Sequence, residues 1–239
     1  MRAHAFAQAA ASVAALIGAA LLAGKAQAAD CPVTQDQLAQ ALRASVVTRD
    51  GTVCAVAFSG NKADDQWPGS RAVAMQKANT ANAFSVAKMA ISTANLFAGA
   101  QPGQPLYGLI TASPPSPETA AGDAAQFGTA SDPMVGKRIG GVIVFGGGLA
   151  LYNDSGVVGG LGISGDSSCA DHNVAWRVRQ ALKLDRVPAG VNPNRRDAII
   201  YDLGADGKSA SGFGHVKCNG TEADIGNELE AAVGGATMK

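Results

Sequence analysis

Lys77, Ala81 and Phe84 are spaced i, i+4 and i+7, so in a helix they share one face with Thr80 beside them. A flat apolar ligand lying on Ala81 and Phe84 would bring a carboxylate at its edge to the Lys77 ammonium. The plainer alternative makes Ala81 and Phe84 core, with Lys77 snorkelling to solvent. A second reactive set lies in Ile139–Arg179, IGGVIVFGGGLALYNDSGVVGGLGISGDSSCADHNVAWRVR, which holds ten glycines among Val, Ile and Leu runs. Glycines within strands mark hairpins, bulges or the close approach of another backbone or a flat ligand. Gly146-Gly147-Gly148 and Ser164 fall in that stretch. Asp171 and His172 follow in the first turn of the next helix. The His172 imidazole can ligate a metal through a ring nitrogen. Its ordinary alternative is a surface ring bonded to Asp171 or to water.

Other chemistries fit less well. A dinucleotide fingerprint needs strand, G-x-G-x-x-G and helix in immediate succession. Here the glycines fall within a hairpin, and the helix arrives only after Ser164. Ser164, in GISGD, lacks the nucleophile-elbow pattern and has no evident His/Asp pair. Asp64-Asp65 reads as a solvated acidic turn rather than a cation site. His215, in GFGHVKC, and Tyr152, Tyr107 and Met75 are metal ligands by chemistry alone, with no placement to favour them.

The elements that must position these residues begin with a leader. Residues 1–28 carry Arg2 and His4, an Ala-rich apolar run and an Ala26-Gln27-Ala28 cleavage site, as in a secretory signal peptide. Export to a periplasmic or extracellular space follows, with no membrane span after cleavage, and about 211 residues remain, enough for one domain. Lys and Arg number 19 against 19 Asp and Glu, so nothing suggests electrostatic nucleic-acid binding. All four cysteines, Cys31, Cys54, Cys169 and Cys218, lie in the exported part and read as two disulfides. Three pairings are open. Cys31–Cys54 with Cys169–Cys218 is favoured, because each would pin a terminal segment to the body. Cysteine-ligated zinc lacks a C-x-x-C.

Helical spacing of Leu38, Ala41, Leu42 and Val46 predicts a helix capped by Thr34. Arg49-Asp50-Gly51 is a turn, and Val53–Phe58 a buried strand. A helix runs from Ser70 to about Ser85, with a second helical stretch at Val86–Phe97. Residues 98–138 are proline-rich and aperiodic, as in a loop or an excursion over a neighbouring surface. Strands are expected at Gly141–Phe145 and Val157–Ser164, with Leu149–Tyr152 a short partner and Asp154-Ser155-Gly156 the hairpin turn. A helix from Ala170 to Leu182 follows. The tail reads as irregular apart from an edge strand at Ala198–Leu203.

Two blocks carry a resemblance. SRAVAMQKANTANAF is similar to the helix of the GlcG/HbpS-like, haem-degrading family, whose KA-x-TA core is matched by Lys77-Ala78-Asn79-Thr80-Ala81. The hairpin containing Gly159, Gly160, Gly162, Ile163, Ser164 and Gly165, followed by Asp171, resembles the family's second block. The likeness runs from about Thr34 to Leu182. It implies an α+β domain, an antiparallel sheet flanked by helices, assembling as a homo-oligomer. Haem or another tetrapyrrole is the implied ligand, with Lys77 paired to a propionate and the ring against the glycine-rich hairpin. His172 departs from the family, which commonly has an acidic residue there; on its own chemistry it is a candidate iron ligand, secondary to that docking. The domain is then expected over 29–183, with 98–138 as an insertion and 184–239 as a C-terminal extension. Only Val46-Val47-Thr48 separates the first helix from the Arg49 turn, so the first strand is expected to be short or missing. Haem degradation, binding of another small metabolite, and a structural or interaction role all remain open.

Overall fold

Glycine and branched residues alternate from Gly160 to Ile163 within the strand Gly156–Ser164, giving it two unlike faces. Gly160 and Gly162 point one way, Leu161 and Ile163 the other, and the fold is built on that difference. The computed structural model describes residues 31–34, 43–61, 65–193 and 196–234. Its sheet comprises β1 (Arg43–Thr48), β2 (Val53–Phe58), β3 (Gly148–Asn153) and β4 (Gly156–Ser164), in the order β2-β1-β4-β3, every pairing antiparallel. Helix α1 (Ser70–Phe84) covers one face, and α2 (Ser168–Ala181) covers the other. The expected α+β class is what is observed.

The α1 face explains the glycines. A Cβ on Gly162 would lie 1.9 Å from the Ala74 carbonyl oxygen, and one on Gly160 would lie 2.2 Å from that of Ala78. The strand and helix backbones therefore touch directly. Val47, Val53 and Val56 complete this layer with Met75, Ala78, Met134 and Ile139. On the opposite face Ala44, Val46, Leu149, Leu151, Leu161 and Ile163 pack against Ala175 and Trp176 of α2.

Several sequence expectations change. The first strand is neither short nor missing: β1 has six residues and is central, bonded to both β2 and β4. Val46 belongs to it rather than to a helix. The rest of the Thr34-capped helix, residues 35–42, lies outside the described residues, as do the signal sequence and Asp64. Val86–Phe97 contains only the 3-10 turn Thr93–Leu96, because Ser85 turns the chain extended and caps the helix. Gly141–Phe145 is buried but irregular, since its polar backbone bonds side chains: Asn79 donates to the Gly141 carbonyl (2.8 Å) and Ile143 N–H donates to Thr80 Oγ1 (3.0 Å). Ala198–Leu203 is likewise not an edge strand; Asn95 donates to the Ala198 carbonyl at 3.0 Å. The tail forms a further helix, α3 (Glu222–Gly234), missed at the sequence level.

Residues 98–138 form short helical turns laid over the outer side of α1. They are fixed by the buried Arg71–Asp132 pair and by Val53 N–H donating to the Lys137 carbonyl (2.8 Å). The favoured cysteine pairing is present, Cys31–Cys54 and Cys169–Cys218. Among the described residues no helix is long and apolar enough to cross a membrane.

Candidate functional site: a buried cluster at the glycine turn

At the sheet edge where β4 ends and β3 begins, the two helices come within side-chain reach. Gly147, at φ +113°, opens the chain into β3, and its carbonyl accepts from Ile163 N–H at 2.8 Å. A Cβ there would meet Lys77 Nζ at 2.8 Å and the Asp171 Cβ at 2.9 Å. The missing side chain is the gap through which Lys77 passes from α1 to α2. Its ammonium donates to Asp171 Oδ2 (2.8 Å) and to the Ile163 carbonyl (2.9 Å), and both partners of the pair are buried.

Neither sequence-level picture of Lys77 holds, snorkelling or exposed to a ligand carboxylate, because its charge is met by Asp171. Burial depresses the Lys77 ammonium below its ordinary range, with Asp171 opposing. Burial also pushes the Asp171 carboxyl up to about 6, against the pull of Lys77. Asp171 Oδ1 accepts from Asp166 N–H at 3.0 Å, which ties the strand-to-helix turn to the same carboxylate.

Thr80 is also buried: its hydroxyl donates to the Gln76 carbonyl at 2.7 Å and accepts from Ile143 N–H. Ala81 is core, and Phe84 packs with Leu96, Val142 and Val144. Ser164 is buried at the end of β4, and Gly148 N–H donates to Thr93 Oγ1 at 2.8 Å. In the isolated chain this helix face is covered by its own protein.

His172 sits in the second turn of α2, not the first, and it is buried rather than on the surface. Its ring stacks near Trp176, with centroids 6.2 Å apart. Burial, seconded by the nearby His215, drops it to about 3 and keeps it neutral. His215 is the residue whose place the sequence did not give. Its Nε2 accepts from Gly146 N–H at 3.2 Å and faces Ser168 Oγ at 3.4 Å, while Nδ1 lies 2.7 Å from the Val216 carbonyl. A carbonyl at Nδ1 and donors at Nε2 fix the Nδ1–H tautomer, leaving a lone pair on Nε2. Burial lowers His215 to about 4, so it is neutral as well.

The structure thus joins Lys77, Gly146, Gly147, Asp171, His172 and His215 at one buried locus. The other ligand candidates are engaged elsewhere. Tyr152 donates to the Val86 carbonyl at 2.7 Å, Met75 is core, and Tyr107 lies exposed on the proline-rich segment. Among the described residues no group of three or more metal-ligating His, Cys, Asp or Glu side chains occurs.

A family model described as haem degrading protein HbpS-like matches residues 14–180. Among solved structures, a Klebsiella pneumoniae protein, ORFY, of the DUF336 family is 24% identical, over 59% of this chain and 74% of its own, at a TM-score of 0.41. A PduOC:heme complex is 28% identical, over 61% of this chain and 83% of its own, also at a TM-score of 0.41. No curated protein matches the chain.

Proposed function

Because the chain belongs to the HbpS-like family of haem-degrading proteins, we propose that it is an exported haem-binding protein whose ligand site is the glycine turn and the two imidazoles beside it. The observation that carries this reading is a pair of buried histidines kept neutral at one locus of the family domain. A neutral imidazole is the donor class that holds haem iron. His172 from α2 and His215 from the tail are the residues that would hold it. Bound haem would supply a redox-active iron. The space beside Gly146, Gly147 and Gly148 is filled by Ser168, Lys77 and Thr93, so the ring would rest outside that turn, and Lys77 with Asp171 would brace it rather than touch the ligand.

Export is supported by the leader read in residues 1–28 and is compatible with the two disulfides. The family also leads to an expected homo-oligomer, which light scattering on the mature protein checks. The decisive test is a haemin titration followed in the Soret band. A saturable shift near one haem per chain, lost in His172→Ala and weakened in His215→Ala, is expected. A non-saturating response overturns the reading. Decay of the Soret band on adding peroxide to the loaded protein distinguishes degradation from storage.

A further inference from the structure

His215 and Cys218 lie beyond residue 180, where the family match ends, yet both are fastened to the family domain. Residues 211–218 have no regular secondary structure, and Phe213 and Val216 remain partly exposed. Hydrogen bonds tie the segment to the body, among them Ala98 N–H to the Gly214 carbonyl (3.1 Å), His215 N–H to the Ile200 carbonyl (2.7 Å), and Gly146 N–H to His215 Nε2 (3.2 Å). The covalent tie is Cys169–Cys218. Through it the His215 ring rests on Gly146, and a Cβ added to Gly146 would lie 3.2 Å from the His172 Cβ. His215 of this segment thus bonds Gly146 and stands close enough to His172 to depress it electrostatically.

We propose that Cys169–Cys218 is a reducible latch, holding residues 211–218 as a cover over Gly146 and His172, so that its reduction opens the imidazole site. The inference rests on the haem reading for the identity of the ligand admitted, but not for the opening itself. Placement of the two sulfurs favours the chemistry. Cys218 is partly exposed, whereas Cys169 is buried as the second residue of α2, a 14-residue helix capped by Ser167. An incoming thiolate therefore reaches Cys218 Sγ, and Cys169 departs as a thiolate at a helix N-terminus, where unpaired N–H groups stabilise it. The donor is a dithiol. It gives two electrons and two protons, leaving Cys169 and Cys218 as thiols and itself as a disulfide. The segment then keeps only its hydrogen bonds, and His215 is free to leave Gly146.

The test is carbethoxylation of His172 by diethyl pyrocarbonate, mapped by peptide mass, on the full mature protein. Three samples are compared: oxidised wild type, wild type reduced with a phosphine, and the C169S/C218S variant. Modification of His172 is expected to speed up about tenfold or more in the last two. A C31S/C54S variant, which cuts the other bridge, is expected to leave the rate unchanged. Hydrogen exchange on the same samples guards against general unfolding: loss of protection is expected at 211–218 and 145–147, with β4 and α1 still protected. An unchanged His172 rate in protein shown to carry free Cys169 and Cys218 overturns the latch, as does loss of protection throughout the sheet. In C169S/C218S the haemin association rate is expected to rise about tenfold, the size expected where a closed form dominates. Faster His172 labelling without haem binding in any sample would sink the haem reading and leave the latch standing.

Discussion

Lys77 Nζ and Asp171 Oδ2 lie 2.8 Å apart across the open edge of the sheet, and neither side chain reaches solvent. The pair is the one ionic contact described between α1 and α2, helices otherwise separated by the sheet. Removing one partner leaves the other buried without its counter-charge, which costs about 3–5 kcal/mol. Lys77→Met and Asp171→Leu should each lower stability by that order in urea unfolding. The double variant should recover much of the loss, because no stranded charge remains. Additive losses in the double variant would show that the two side chains act independently.

Gly162 is dictated by its neighbour on α1. An alanine methyl would sit 1.9 Å from the Ala74 carbonyl oxygen and 2.5 Å from the Ala78 nitrogen, both backbone atoms. The helix must lift from the sheet to admit it. Gly162→Ala should cost about 3 kcal/mol, at the upper end for overpacking. Gly103→Ala, where an added Cβ meets nothing within 4 Å, is the comparison, its cost arising from positive φ alone. Equal midpoints for the two variants in denaturant would contradict direct backbone packing.

These two sites show what was readable beforehand. The glycine-punctuated Val, Leu and Ile run of β4 and the small residues of α1 are local signals, and both elements fall where the sequence places them. Lys77, Gly147 and Asp171 were singled out, but their mutual contact was not, since pairing across 94 residues leaves no local mark. The glycines read equally well as a ligand platform, a subunit contact or internal packing; only α1 lying on Gly160 and Gly162 decides for the last. Val142 and Val144 mimic a strand because they are buried, yet Val142 N–H donates to the Ser113 carbonyl and Ile143 N–H to Thr80 Oγ1 instead of to a ladder. His215 looked like a lone residue in a polar tail. What carries it inward is the Cys169–Cys218 link, one of three pairings that four cysteines allow.

Acid should loosen the fold through its two buried imidazoles. His172 and His215 are lowered to about 3 and about 4, whereas in the unfolded chain they titrate near 6.5. The unfolded state therefore binds more protons as pH falls below 6.5, and the stability present above that pH is progressively lost. Asp171 works in the opposite sense. Its carboxyl is raised to about 6 from 3.8, so the folded state gains its proton first and stability rises as pH drops through 6. Two groups against one leaves a net loss, bounded by about 1.4 kcal/mol per pH unit for each uncompensated imidazole. Thermal midpoints should fall from pH 6.5 to 4.5, and His215→Asn should flatten the slope. A wild-type midpoint that does not change over this range would contradict the buried, neutral state of the rings.

Arg179 fastens the C-terminal part of the chain to the family domain, and its geometry demands a guanidinium. Its two Nη groups donate to Asp197 at 2.6 and 2.9 Å, and Nη1 also donates to the Ala150 carbonyl at 3.2 Å. The guanidinium carbon lies 4.6 Å from the Trp176 ring centre, so the fork is stacked as well as bidentate. Lysine keeps the charge but offers a point donor that cannot satisfy both carboxylate oxygens and β3 together. Arg179→Lys should therefore destabilise by about 2–3 kcal/mol, within the range for hydrogen bonds to buried charged groups. The loss should fall unevenly. Asp197 precedes Ala198, whose carbonyl is held by Asn95, so weakening Arg179 should raise hydrogen exchange from 197 to 203 before it does so in β1 and β4. Uniform loss of protection in Arg179→Lys would mean that the tail and the sheet unfold as one unit.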